Sequence, residues 1–235
     1  MPLFLVYISM QPKLILFTIF VLATVILFAQ CKKMSEGKYS FLALGDSYTI
    51  GESVPSAQNF PHQTVELLKK SGFSVKDPEI IARTGWTTDE LQTAVDQASL
   101  SYPYNIVTLL IGVNNQYRGY DLNVYASEFE KLLQQAIQFA GNDTAHVFVL
   151  SIPDWGVTPF AEGRDRKKIA EEIDAYNAIN KNIALQYNVH YIDITPDTRK
   201  ATHDSSLIAG DGLHPSGAEY SKWAEKLSAL IQKSL

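Results

Sequence analysis

A serine hydroxyl becomes a nucleophile when a histidine takes its proton, and a carboxylate then fixes the tautomer of that histidine and stabilises its cation. The chain offers a place for each of the three. In the run Phe41-Leu42-Ala43-Leu44-Gly45-Asp46-Ser47, four apolar residues lead straight into Gly-Asp-Ser, and Gly51 follows four residues after the serine. That is the pattern of a short buried strand delivering Ser47 to a loop. Gly-Asp-Ser is also ordinary turn composition, so its meaning depends on what else the chain supplies.

Five histidines are available, His62, His146, His190, His203 and His214. Asp211 precedes His214 by three residues in Asp211-Gly212-Leu213-His214-Pro215, one tight turn, which brings a carboxylate to an imidazole. Asp143 and His146 share that spacing. They stand before an apolar run, however, which puts them at the amino edge of a sheet, a strand length from the carboxyl edge where Ser47 emerges. They are expected to form a surface turn. His190 opens a strand and reads as a structural histidine, His62 as a helix-surface residue, and His203 as a residue of the rim. His214 is the candidate base and Asp211 its partner.

An attacked carbonyl also needs donors for its developing negative charge. The backbone N–H of Ser47, the backbone N–H of Gly85 and the side-chain amide of Asn114 are candidates, because each follows a predicted strand. Tyr117, Tyr120, Trp155, Val157 and Phe160 could wall an acyl chain, and the aromatics among them could equally stack on a sugar. Of these, Tyr117, Trp155 and Phe160 are the candidate substrate-binding residues.

The elements that must position these residues alternate strand and helix five times. Strands are expected near 41–44, 73–82, 105–111, 147–152 and 189–194, and Pro78 marks the second as an outer strand. Helices are expected over 59–71, from a cap at Thr88 onward, and over 124–140, 164–186 and 216–233, each with an apolar stripe at helical spacing. Short apolar strands alternating with amphipathic helices predict a parallel sheet covered on both faces, a three-layer α/β/α sandwich. A connection of about twenty residues before 216 is longer than structure alone requires.

At 235 residues, 46% hydrophobic and 19% charged, the chain is suited to one α/β domain. A net charge of -5 with scattered lysines and arginines argues against a nucleic-acid partner. Cys31 is the single cysteine, which excludes an internal disulfide and a cysteine-based zinc site. It closes an apolar stretch over 14–29 that Lys13 precedes and Lys32-Lys33 follow, a signal-peptide layout. These 16 residues are fewer than the roughly 20 that span a bilayer.

The stretch resembles a bacterial lipoprotein signal, with Gln30 where a small residue is usual. That resemblance implies lipidation at Cys31 and export to the cell envelope, as a membrane-anchored lipoprotein or a periplasmic protein, with an uncleaved membrane anchor as the alternative. The expected organisation is a signal over 1–30, a polar tether over 31–38 and the folded domain over 39–235.

Four ordered blocks, Gly45-Asp46-Ser47, Gly85, Gly112-Val113-Asn114 and Asp211-Gly212-Leu213-His214, resemble those of the SGNH/GDSL hydrolase family from about residue 40 to the end. The resemblance implies a flavodoxin-like five-stranded fold and ester hydrolysis with neither metal nor cofactor. By it, Ser47 is the nucleophile, His214 the general base and acid, and Asp211 its orienting partner. Ser47 N–H, Gly85 N–H and Asn114 Nδ2 form the oxyanion hole. Asn115 departs from the aspartate that often follows the family's block asparagine, which leaves its role open. The implied function is a carboxylic ester hydrolase, of the acyl esterase, lysophospholipase or thioesterase kind, acting on a small-molecule, lipid or glycan ester. A carbohydrate O-deacetylase, an acyltransferase and a membrane-tethered binding protein on the same fold are the alternatives.

Overall fold

The computed structural model describes residues 37–235; the expected signal, Cys31 and most of the tether lie outside them. Five parallel strands form one sheet: β1 (Phe41–Asp46), β2 (Glu79–Arg83), β3 (Ile106–Leu110), β4 (Val147–Leu150) and β5 (His190–Ile192), in the order β2-β1-β3-β4-β5. β1, β3 and β4 are buried along their whole length, as continuous apolar runs in a doubly covered sheet should be. β2 lies at an edge with both of its ends exposed, and Pro78 sits just before it. The expected strand from 73 is thereby shortened, although Val75 still bridges Tyr39.

Short α1 (Ser47–Ile50) follows β1 directly, and α2 (Phe60–Lys70), α3 (Thr88–Gln97), α4 (Val113–Tyr117), α5 (Leu122–Phe139) and α6 (Arg166–Gln186) follow in turn. After β5 come α7 (Thr195–Thr198) and the closing helix α8 (Gly217–Ser234). α2 packs against α8, whereas α3, α5 and α6 pack in series, giving the helical layers expected on the two faces. The cap of α3 is Thr87 rather than Thr88: Thr87 forms a capping box with Glu90, and an acidic residue three positions on is what a capping box requires. Thr88 is then free to bond elsewhere.

Strand order reverses between β1 and β3, since the chain moves outward to β2 and then returns past β1. In an open α/β sheet the crevice at the carboxyl ends of strands flanking such a reversal is where ligands bind. Gly45 shows how tightly that crevice is built. A Cβ there would lie 2.1 Å from Thr49 Oγ1 and 2.4 Å from the Leu110 carbonyl oxygen, so only glycine lets α1 turn this closely over β3.

Candidate active site

Asp46 ends β1 fully buried, and its Oδ1 accepts the Tyr48 N–H at 3.0 Å, capping α1. Ser47 is consequently the first helical residue, and an N–H at that position has no partner within its own helix. The serine's own N–H is thereby left without a partner in α1. Burial pushes the Asp46 carboxyl up to about 7, against the opposing effect of the backbone N–H groups that it faces.

The loop after β2 turns sharply, with the Trp86 N–H donating to the Arg83 carbonyl at 3.2 Å. Gly85 has φ +86°, the backbone that the third position of a type II turn demands, and the turn's own hydrogen bond leaves the Gly85 N–H uncommitted. Three residues of α4 and its C-cap hold this loop. Asn114 Nδ2 donates to the Trp86 carbonyl at 2.9 Å, and Arg118 Nη2 donates to the Gly85 carbonyl at 2.7 Å. Asn115, fully buried, accepts the Thr88 N–H at 3.1 Å and donates to Thr88 Oγ1 at 2.7 Å. The position that departs from the family pattern therefore ties the third block to the N-terminus of α3.

His214 is buried, and its Nδ1 lies 2.6 Å from Asp211 Oδ2. Asp211 Oδ1 accepts the N–H groups of Leu213 and His214, each at 3.0 Å, and Ser53 Oγ donates to Oδ2 at 2.7 Å. Partial burial would raise this carboxyl. The hydrogen bonds from His214, Leu213 and Ser53 outweigh it and hold Asp211 well below the ordinary aspartate range. A carboxylate kept ionised in this way fixes the Nδ1–H tautomer and leaves Nε2 for a reacting hydroxyl. The Tyr48 ring stands edge-on to the imidazole at 5.5 Å.

Ser47, Gly85, Asn114 and His214 line one pocket of about 200 Å³, together with Tyr117, Trp155 and Phe160. Seven sequence-derived site residues thus meet in one place, with Asp211 directly behind His214. The three aromatic rings touch one another, with centroids 5.4 Å apart for Tyr117 and Trp155, 5.9 Å for Trp155 and Phe160, and 6.3 Å for Tyr117 and Phe160. Tyr117 and Phe160 are about half exposed, whereas Trp155 is buried at 4% and its Nε1 donates to Gln116 Oε1 at 2.8 Å. Trp155 backs the wall and does not stand out from it. Val157 lines a different cavity behind His214, and Tyr120 lies beyond Tyr117, so neither joins the Ser47 pocket.

The remaining histidines stay out of this pocket. His146 lies 3.9 Å from Asp143 at the start of β4, on the amino edge. His190 stacks on Phe148 at 4.8 Å and meets Ser234 Oγ, and His62 bonds the Asn59 cap of α2. His203 is exposed and lines neither pocket. Ser53 and Arg118 are the contributors that sequence reasoning does not identify. Arg118 had a detectable signal, since it follows Asn114 by one helical turn, while Ser53 had none.

A doubly covered parallel sheet that brings Ser47, Gly85, Asn114 and His214 to one pocket at the carboxyl edge of its switch point has the layout of the SGNH hydrolase class. The chain belongs to the GDSL-like lipase/acylhydrolase family, whose model matches residues 43–222, and it is a carboxylic ester hydrolase of that type. It is 26% identical over 195 residues to an acetylxylan esterase of Geobacillus stearothermophilus, covering 78% of this chain and 80% of that protein. Among solved structures, TesA superposes with a TM-score of 0.66 at 16% identity, over 83% of this chain and 99% of that one. Axe2, an acetylxylan esterase of Geobacillus stearothermophilus, superposes with a TM-score of 0.65 at 18% identity, over 84% and 96%.

Proposed function

We propose that the protein hydrolyses short-chain carboxylic esters of saccharide hydroxyls through an acyl-serine intermediate. The observation that carries the reaction is His214, hydrogen-bonded to Asp211 behind it, sharing one pocket with Ser47, Gly85 and Asn114. Ser47 Oγ attacks the ester carbonyl while His214 Nε2 takes its proton. The oxyanion receives hydrogen bonds from the N–H groups of Ser47 and Gly85 and from the Asn114 Nδ2 hydrogen not engaged with Trp86. His214 then passes its proton to the departing alcohol. Water, deprotonated by the same nitrogen, attacks the acyl-serine and frees the carboxylic acid and Ser47.

Two observations support a small acyl group on a sugar. The pocket of about 200 Å³ falls below the roughly 300 Å³ at which ligand clefts usually begin, which leaves little room for a long chain beside the ester. The relative with 26% identity is an acetylxylan esterase, and the half-exposed Tyr117 and Phe160 rings suit a sugar face.

The test is hydrolysis of p-nitrophenyl acetate, butyrate and octanoate by the full chain beside Ser47→Ala and His214→Ala. Acetate should be turned over fastest, and each substitution should lower kcat by roughly 10⁴-fold or more. Octanoate as the preferred ester would overturn the short-acyl reading, and turnover surviving in Ser47→Ala would overturn the nucleophile.

A further inference from the structure

Tyr117 and Trp155 line two pockets at once. On their far side lies a larger one, of about 600 Å³, between residues 116–122 and the start of α6. Charged side chains are interleaved with aromatic and aliphatic ones along its walls, and it adjoins the Ser47 pocket through the shared rings. An ester bound with its carbonyl at Ser47 has an acyl side and an alcohol side, and the larger of the two adjoining spaces, about 600 Å³ against about 200 Å³, is the one with room for a saccharide beside a bound acyl group.

The charges in this second pocket are nearly all committed. Arg118 pairs with Glu90 at 3.2 Å, Lys168 with Glu172 at 3.7 Å, and Asp165 caps α6 by accepting the Lys168 N–H at 3.0 Å. Arg164 is the exception: among the described residues no carboxylate lies within ion-pair distance of it. Its guanidinium instead lies over the Tyr117 ring at 5.6 Å and the Trp155 ring at 5.9 Å, and Nη2 donates to the Tyr117 hydroxyl at 3.3 Å. Stacking of this kind holds the planar fork in place before any ligand arrives, and most of its five donors remain unused. A held, unpaired guanidinium beside a substrate pocket matches the two oxygens of a carboxylate. A dianionic phosphate fits less well, because a single uncommitted guanidinium balances one negative charge and the pocket's other cations, Arg118 and Lys168, are already paired.

We infer that the pocket beyond Tyr117 binds the alcohol portion of the ester as a sugar unit bearing a carboxylate, a uronic acid, with Arg164 bonding that carboxylate. The inference rests on the serine-esterase reading above and specifies its substrate class. In this arrangement Tyr117 separates the reacting ester from the charged recognition point, so the carboxylate adds selectivity without entering the chemistry.

The test compares two monoacetylated methyl glycosides that differ only at C6, one a glucuronide and the other a glucoside, on the full chain and on Arg164→Gln. The ratio of their kcat/KM values should favour the glucuronide by about tenfold, the scale of one hydrogen bond to a charged group. In Arg164→Gln the ratio should fall to near one. Equal rates on the two glycosides in the native chain, or a preference that persists in Arg164→Gln, would overturn the inference. Binding of the unacetylated methyl glucuronide and glucoside, followed by saturation-transfer NMR, reads the same preference without turnover. A chain that hydrolyses p-nitrophenyl acetate yet binds both glycosides equally loses the subsite alone. A chain that binds the glucuronide selectively but hydrolyses no ester keeps the subsite and loses the esterase reading.

Discussion

Asp46 stands immediately before Ser47, is completely buried, and has one carboxyl oxygen on the Tyr48 N–H while the other has no partner. Its buried carboxyl titrates at about 7, whereas an unfolded aspartate titrates near 4. The native state therefore holds this proton where the unfolded state has lost it. Its contribution to stability is complete below about pH 4, is lost as pH rises from about 4 to about 7, and is constant above that. Asparagine presents the same acceptor to Tyr48 with nothing to ionise. Asp46→Asn should thus gain stability relative to the native chain as pH rises from 4 to 8, by on the order of a few kcal/mol. Urea unfolding of both proteins across that range reads the difference directly. A constant difference would show that Asp46 is already ionised in the folded protein. The Asp211 carboxyl has the opposite shift, held down by its hydrogen bonds, so the two aspartates of the site are tuned in opposite directions.

At the scale of elements, α4 with its C-cap grips the loop after β2 through Asn114, Asn115 and Arg118, and the loop carries the Gly85 donor. Arg118 is the peripheral member, itself about two-fifths exposed and paired with Glu90, so its loss should cost the fold little. It should cost the reaction more, because the Gly85 carbonyl loses a charge-assisted hydrogen bond and the neighbouring N–H loses its fixed direction. Arg118→Ala is expected to lower kcat on p-nitrophenyl acetate about tenfold with KM little changed, since the donor is needed chiefly when charge develops on the carbonyl oxygen. A raised KM at normal kcat would make Arg118 a binding residue instead. This grip marks a limit of what the sequence discloses. The glycine and the asparagine were legible because each follows a strand, and strand ends in a parallel sheet share one edge. That Asn115 reaches Thr88, or that Arg118 reaches Gly85, depends on how α4 lies against the loop, and no local pattern encodes that. Trp155 illustrates the same limit, since it is buried against Gln116 and Tyr117, about forty residues earlier in the chain. The cap at Thr87 was legible in principle, because Glu90 completes a capping box with Thr87 and not with Thr88.

Across the whole molecule, the first and last parts of the described domain are joined at Trp223. This fully buried side chain of α8 contacts Tyr220, Phe60 of α2 and Tyr48 of α1, with ring centroids 4.9, 6.2 and 6.4 Å away. Its Nε1 donates to Glu219 Oε1 at 2.9 Å, and Glu219, also buried, pairs with Lys222 at 3.0 Å. Tyr48 in turn stands against His214. One tryptophan therefore connects the strand that leads into Ser47 to the segment that carries His214, which lie more than 150 residues apart in the chain. Its volume and its donor can be separated by substitution. Trp223→Phe keeps most of the packing but removes a hydrogen bond from a buried carboxylate, which should cost about 1–3 kcal/mol. Trp223→Ala also opens a cavity beside Tyr48 and should cost about 3–5 kcal/mol. Urea midpoints for both variants, with kcat on p-nitrophenyl acetate measured where each is still folded, distinguish the contributions. If α8 positions the base through Tyr48, kcat falls in Trp223→Ala and is largely kept in Trp223→Phe. If stability falls while kcat stays intact in both, the Ser53–Asp211 hydrogen bond and the backbone around Asp211 hold His214 without help from α8.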